Sequence, residues 1–261
     1  FAGFEFDGEQ EVWELYNVAE DFSQSVDLAA SQPDKLAELR ALFETEAVRY
    51  GVYPLRDASA RRGGDYAPPH SMEGHSKMTY GPMHIRMPEH GVINLKNTSY
   101  RIAATVTVQA GGQGVIACQG GNMAGWSLYL DEASRPSYVY NWFGHEFTTL
   151  VGEPLAAGEH QICVEYAHDG GFAAGGDLEL LVNGERVAEG RVKRTVPVIF
   201  SMSGETFDVG RDTGSPVGKY PHDFAFVGVI HGVTLERLAE PSQEVKQQER
   251  KGAFKAGLSA Q

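Results

Sequence analysis

The sequence predicts a mainly β chain, two packed antiparallel sheets preceded by a small α+β unit and a long irregular connector. Three observations predict it. From Ser99 onward short apolar stretches alternate with polar residues at every second position, as in Ile102, Ala104, Val106 and Val108, and glycine-rich turns separate them. Asn183-Gly184 joins two such stretches as a two-residue turn of the kind that matches strand twist. Before Gly51, by contrast, Leu36, Leu39, Phe43, Ala47 and Tyr50 recur at spacings of three and four, the period of a helix with one apolar stripe.

In chain order the pieces are residues 1–57, 58–98, 99–240 and 241–261. Phe1 to Phe6 and Gln10 to Tyr16 flank Asp7-Gly8 and read as a two-stranded hairpin, which needs a cover for its apolar side. The helix supplies that cover. Pro33 suits a first helical turn, Ser31 or Gln32 is placed to cap it, Asp34 sits at the positive dipole end, and Gly51 stops it. Arg56 to Asn97 keeps neither strand nor helix period. Its Met72, Met78, Tyr80, Met83, Ile85 and Met87 are too apolar for a free linker, so the connector is expected to bind a neighbouring surface. After Ile102 to Val108, strands are predicted at Gly114 to Gln119, Trp126 to Leu130, Ser137 to Phe143, Phe147 to Leu150, His160 to Tyr166, Asp177 to Val182, Glu185 to Val192 and Ala225 to Leu235. The tail from Pro241 is polar and locally basic, a solvated helix or a flexible end.

The 261 residues, 42% of them hydrophobic, suffice for a large packed core. With 22 basic against 35 acidic residues the net charge is −13, which argues against nucleic acid or an anionic membrane as partner. No apolar run reaches the roughly 20 residues of a membrane span. Two cysteines, Cys118 and Cys163, both fall in predicted strands and read as buried free thiols rather than a disulfide. The compartment stays open, cytoplasmic or exported.

Trp13 to Asn17 (WELYN), Asp27 to Ala47, Tyr50 to Asp57 (YGVYPLRD), SYRIAATVTV from Ser99, QGGNMAGWSLYL from Gln119, YVYNWFG from Tyr138 and ETFDVGRDTGSPV from Glu205 together carry a resemblance. They resemble the C-terminal region of large bacterial arylsulfatases. The resemblance implies that residues 1–57 complete a sulfatase catalytic unit, and that residues 99–240 are a jelly-roll sandwich of the concanavalin or laminin-G kind. It further implies a noncatalytic docking or stabilising role, in a chain that begins partway through its parent at Phe1. Leu36, Leu39, Phe43 and Tyr50 would then face the upstream catalytic domain; assembly with further copies of the chain stays open. Sulfatases hydrolyse sulfate esters with formylglycine made in a Cys-x-Pro-x-Arg motif beside calcium. Here Cys118 is followed by Gln-Gly-Gly-Asn and Cys163 by Val-Glu-Tyr-Ala, so the nucleophile and the calcium belong to the parent, no cofactor is expected in this chain, and the chain alone is expected to be inactive.

Other chemistry is thinly signalled. Ser201 and Ser203 lack the spacing of a nucleophile elbow. Asp177 and Glu179 share a strand face as glycosidase carboxylates do, or as an ordinary solvated acidic pair does. His70, His75, His84 and His90 match no zinc spacing. Asp208 and Asp212 flank a glycine turn and are the weak candidates for a calcium site, the alternative being turn organisation through their own backbone. Among the aromatics Trp126, Tyr129, Tyr138, Tyr140 and Trp142, the set Tyr138, Tyr140 and Trp142 projects to one face by strand period. They would stack on sugars if that face points outward and fill the core if it points inward. A carbohydrate-binding module and an oligomerisation domain are accordingly the rival readings of function.

Overall fold

The computed structural model describes residues 12–52, 72, 74–201 and 204–259, and the chain divides into two units, Phe1–Ala67 and Pro68–Gln261. In the first, α1 (Pro33–Arg49) starts at the proline, carries Asp34 in its first turn and ends at Tyr50 before Gly51, whose φ is +65°. Gln32 occupies the cap position without a side-chain hydrogen bond. The expected stripe is split. Ala47 is buried and Phe43 meets the Trp13 ring edge-on at 5.4 Å, whereas Leu39 and Tyr50 are exposed, with Leu42 and Val48 beside them. Val12 to Tyr16, expected as a strand, is irregular. The Leu15 amide donates to the Asp27 carboxylate (2.9 Å) and its carbonyl accepts the Leu28 amide (2.8 Å), so local bonds take the groups a ladder would use. The other arm of that hairpin, and Tyr53 to Ser71 of the connector, lie outside the described residues.

Among the described residues the second unit is a sandwich of eleven strands: β1 (Lys77–Tyr80), β2 (Tyr100–Val108), β3 (Gly114–Gly121), β4 (Ala124–Leu130), β5 (Pro136–Trp142), β6 (Glu146–Val151), β7 (Gly158–His168), β8 (Gly176–Val182), β9 (Glu185–Val192), β10 (Phe207–Val209) and β11 (Gly228–Arg237). Six form one sheet in the order β1-β11-β2-β7-β8-β9 and five the other, β10-β3-β4-β5-β6, with every neighbouring pair antiparallel. The fold class is therefore mainly β, as the alternation predicts.

Between the sheets lies one core. Ile102, Ala104, Val106 and Val108 of β2, Ile162 and Val164 of β7 and Leu178 and Leu180 of β8 face Trp126, Leu128 and Leu130 of β4 and Tyr138 and Tyr140 of β5. Burying each aliphatic side chain is worth roughly 1.5–3 kcal/mol. The polar tips inside are paired: the Tyr100 and Tyr138 hydroxyls meet at 2.8 Å, and the Tyr140 hydroxyl accepts the Val196 amide at 2.8 Å. The Asn183-Gly184 hairpin joins β8 to β9 with φ of 52° and 85°, as a two-residue turn requires.

The connector is less of a connector than its sequence predicts. Its later part supplies β1, on the edge beside β11, and buries Tyr80, Val92, Ile93 and Leu95 in the core, while Met72, Met78 and Met87 pack against it. Met83 and Ile85 do not; they are exposed. The tail forms α2 (Gln243–Ser259), with Val245 buried and Glu249 accepting the Asn97 side-chain amide at 2.6 Å. No described helix is long and apolar enough to cross a membrane. Both cysteines are free. Cys118 of β3 and Cys163 of β7 point away from the core on opposite sheets, too far apart for the roughly 6 Å between Cα atoms that a disulfide needs.

Candidate functional site

Over β3, β4 and β5 the outward face of the five-stranded sheet is covered by the chain's own segment 210–227, while Phe147 and Val151 of β6 stay exposed at its edge. Val115, Cys118, Tyr129 and Val139, which project from that face, form a second buried cluster with Val217 and Phe224, and Tyr220 packs on it. Backbone bonds fasten the segment: Gly210 to Ile116 (3.0 Å), Val115 to Phe224 (2.8 Å) and Val227 to Gln113 (2.7 Å). The approach is so close at Gly114, where φ is +114°, that a Cβ there would lie 2.2 Å from the Ala225 carbonyl oxygen.

Beneath this segment three chemical groups come together. Asp208 of β10 pairs in register with Cys118 of β3, and Asp212 follows from the turn, so one thiol and two carboxylates, all buried, lie within 4.8 Å of one another. Asp208 is well satisfied: its Oδ1 accepts the Arg86 amide (2.5 Å), and its Oδ2 accepts the Thr213 amide (3.1 Å) and hydroxyl (2.8 Å). Asp212 Oδ2 accepts the Tyr220 hydroxyl (2.7 Å) and the Val217 amide (3.2 Å). Its Oδ1 is buried without a hydrogen-bond partner. Burial raises the Asp212 carboxyl above the usual range, against the pull of its hydroxyl and amide donors, and neighbouring Asp208 adds to the rise. The Cys118 thiol is pushed well up by burial and then by both carboxylates. Turn organisation, one of the two readings of Asp208 and Asp212, is plainly one of their roles; the sequence offered no sign that Cys118 would join them.

The proposed sugar platform lies elsewhere than a surface. Tyr138 and Tyr140 face inward, fully buried in the core, because β5 turns that side of its pleat toward the other sheet. Trp142 is half-buried, its edge meets Phe143 at 5.2 Å, and the Arg194 guanidinium covers its ring at 3.7 Å. Trp126 is likewise core, and Tyr129 lies under Tyr220 at 5.0 Å. Trp126, Tyr138 and Tyr140 are thus enclosed in the core, whereas Trp142 keeps part of its ring at the surface.

The outward face of the six-stranded sheet is open. Four adjacent strands, β1, β11, β2 and β7, place Lys77, Thr234 and Glu236, Arg101 and Ala103, and Gln161 around a groove of about 280 Å³. Small Ala103 and Thr234 leave the hollow, and longer charged side chains wall it. Arg101 bridges to Glu165 at 2.7 Å and reaches Glu236 at 3.8 Å, and Lys77 pairs with Glu236 at 3.3 Å. Cys163 stands on this face with its thiol raised to about 11 by burial and the Glu165 charge. Sequence reading missed the groove; its only trace is that each member except Lys77 sits at an outward position of an alternating strand.

The remaining candidates stay ordinary. Asp177 and Glu179 are engaged by Arg191 and Arg186 of β9, each at 2.9 Å. His84 accepts the Gly81 amide at 3.0 Å and sits edge-on to Tyr80, and His70 lies outside the described residues. The Ser201 hydroxyl is bonded to the Glu205 carbonyl rather than to a base, and Ser203 is outside the described residues.

No family model and no curated protein matches the sequence. Solved structures share the sandwich shape at a distance. The CBM40 of the Ruminococcus gnavus IT-sialidase matches with a TM-score of 0.44 and 14% identity, over 66% of this chain and 98% of that one. The leech intramolecular trans-sialidase gives 0.43 and 14% over 66% and 26%. Domains LG4-5 of the mouse laminin alpha1 chain give 0.35 and 14% over 62% and 38%. Likenesses this remote carry nothing about function.

Proposed function

We propose that the chain is a noncatalytic module that binds carbohydrate, and that the sugar lies in the groove on the outward face of the six-stranded sheet. The observation that supports it is the contrast between faces: one is covered over β3 to β5 by the segment 210–227, and the other offers Lys77, Arg101, Gln161, Thr234 and Glu236 converging on a hollow from four adjacent strands. Vicinal sugar hydroxyls both donate and accept, and planar side chains such as Arg, Gln and Glu meet them with paired groups in fixed geometry. The two cations are balanced by Glu236 and Glu165, so neutral sugars fit better than sulfated ones. Calorimetry and gel retardation against neutral oligosaccharides, with sialyllactose as the charged arm, test the reading. Binding should appear for a neutral sugar, fall at least about tenfold in Arg101→Ala, the size of one lost charged hydrogen bond, and survive Trp142→Ala. Silence across the panel, or binding lost with Trp142→Ala alone, contradicts it.

A second reading rests on α1. Leu39, Leu42, Val48 and Tyr50 are exposed on it, which supports docking of the first unit on an upstream catalytic domain of the arylsulfatase kind. Leu36 and Phe43, half-buried, would then contribute from the rim rather than the centre of that contact. Co-expression of the upstream segment with residues 1–67 should give a stable complex that Leu39→Asp with Leu42→Asp disrupts; a complex indifferent to both changes contradicts it.

A further inference from the structure

We propose that Cys118, Asp208 and Asp212 form a binding site for a divalent transition cation, with zinc the best fit. The groups come from two directions: Cys118 and Asp208 are opposite one another on paired strands, and the four-residue turn after Asp208 brings Asp212 back to them. Donors already in place account for Asp208, whose Oδ1 accepts the Arg86 amide and whose Oδ2 accepts Thr213 of the turn, and for Asp212 Oδ2. It does not account for Asp212 Oδ1. That oxygen belongs to a side chain only 1% exposed, makes no hydrogen bond, and sits in a cluster with a thiol. A buried oxygen without a partner is costly, and a cation supplies the missing partner.

The donor set selects the ion. Donors around one tetrahedral zinc lie about 3.3–3.8 Å apart, given bond lengths near 2.0–2.3 Å. Here the three atoms lie within 4.8 Å, so a contraction of about 1 Å closes them around the ion. The Arg211 carbonyl oxygen, 3.6 Å from the Cys118 sulfur, is already at tetrahedral spacing and can serve as the fourth donor. One sulfur and a few oxygens suit zinc or cobalt. Calcium needs six to eight oxygens and gains nothing from a thiol, so calcium, the ion the two aspartates alone suggest, is displaced by the presence of Cys118. Binding releases the thiol proton to solvent as the thiolate forms. The ion would clasp the segment 210–227 to β3 and β10.

The test uses the full chain, stripped with a chelator and then loaded with cobalt or zinc, either folded or during refolding, because the segment covers the cluster. One equivalent of cobalt should bind with a thiolate-to-cobalt charge-transfer absorption. That absorption should vanish on zinc addition, ignore excess calcium, be absent in Cys118→Ser and persist in Cys163→Ser. Asp212→Asn should weaken zinc binding at least tenfold. Should Cys118→Ser fail to fold, X-ray absorption of the zinc-loaded wild-type chain decides: one sulfur at about 2.3 Å is expected. A shell of nitrogen and oxygen only, no charge-transfer absorption in the wild type, or absorption surviving Cys118→Ser overturns the proposal.

Discussion

The two outward faces of the sandwich are made from similar strands and end differently. On the five-stranded sheet Val115, Cys118, Tyr129 and Val139 face a strap of the same chain and are buried. On the six-stranded sheet Arg101, Glu165 and Glu236 face solvent in ion pairs, with Gln161 beside them at a hollow. An antiparallel sheet can afford one wet face, and here the fold assigns it to the larger sheet. The difference teaches where to look for a sugar: where the chain itself covers β3 to β5 no open surface is left for one, and the polar face of the larger sheet offers it.

That contrast can be broken at the strap. Gly114→Ala should have the largest effect, about 4 kcal/mol or more in denaturant unfolding, because the added methyl meets the Ala225 carbonyl at a positive φ. Phe224→Ala should cost about 3 kcal/mol by emptying the sealed cluster, whereas Val229→Ala, outward on the open sheet and 50% exposed, should stay within about 0.5 kcal/mol. Equal costs at the two positions would erase the distinction between faces. Arg101→Ala should cost about 1 kcal/mol or less of stability, since its ion pairs are part-exposed, yet reduce glycan affinity at least about tenfold.

Smaller still is a pH effect at the end of β7. Burial lowers the His168 pKa, partly offset by Asp169, and its Nδ1 accepts the Gly170 amide, so the ring is held neutral. A histidine depressed in the folded state takes its proton more readily when unfolded. Stability should therefore fall as pH drops below about 6.5, until the folded pKa is reached, with a slope of at most about 1.4 kcal/mol per pH unit. His168→Gln should flatten this part of the profile; an unchanged profile removes His168 as its source.

The strands of the larger sheet were legible because β2, β7 and β8 each bury one side and wet the other. β3 and β4 are buried on both faces, so VIACQGG and AGWSLYL show where strands lie without showing which side is inward. β5 is buried on both faces in the same way, so its sequence leaves the direction of Tyr138 and Tyr140 open. β1 and β10 were missed because four and three residues are too short to show a period, and both gain their partners from far along the chain. The same distance hid the two sites. Cys118 and Asp208 are neighbours through strand pairing alone, and the groove collects residues from Lys77 to Glu236. Val12 to Tyr16, expected as a strand, is irregular for the opposite reason, since the Leu15 amide finds a nearby partner in Asp27.

Nuclear magnetic resonance of the chain during titration with the neutral oligosaccharide that retards it tests the central claim most directly. The amides of Lys77, Arg101, Gln161, Thr234 and Glu236 should shift together in one saturable event, while those of 210–227 and of Tyr138 to Trp142 stay in place. Shifts centred on Trp142 or on the strap, with the groove silent, would contradict it.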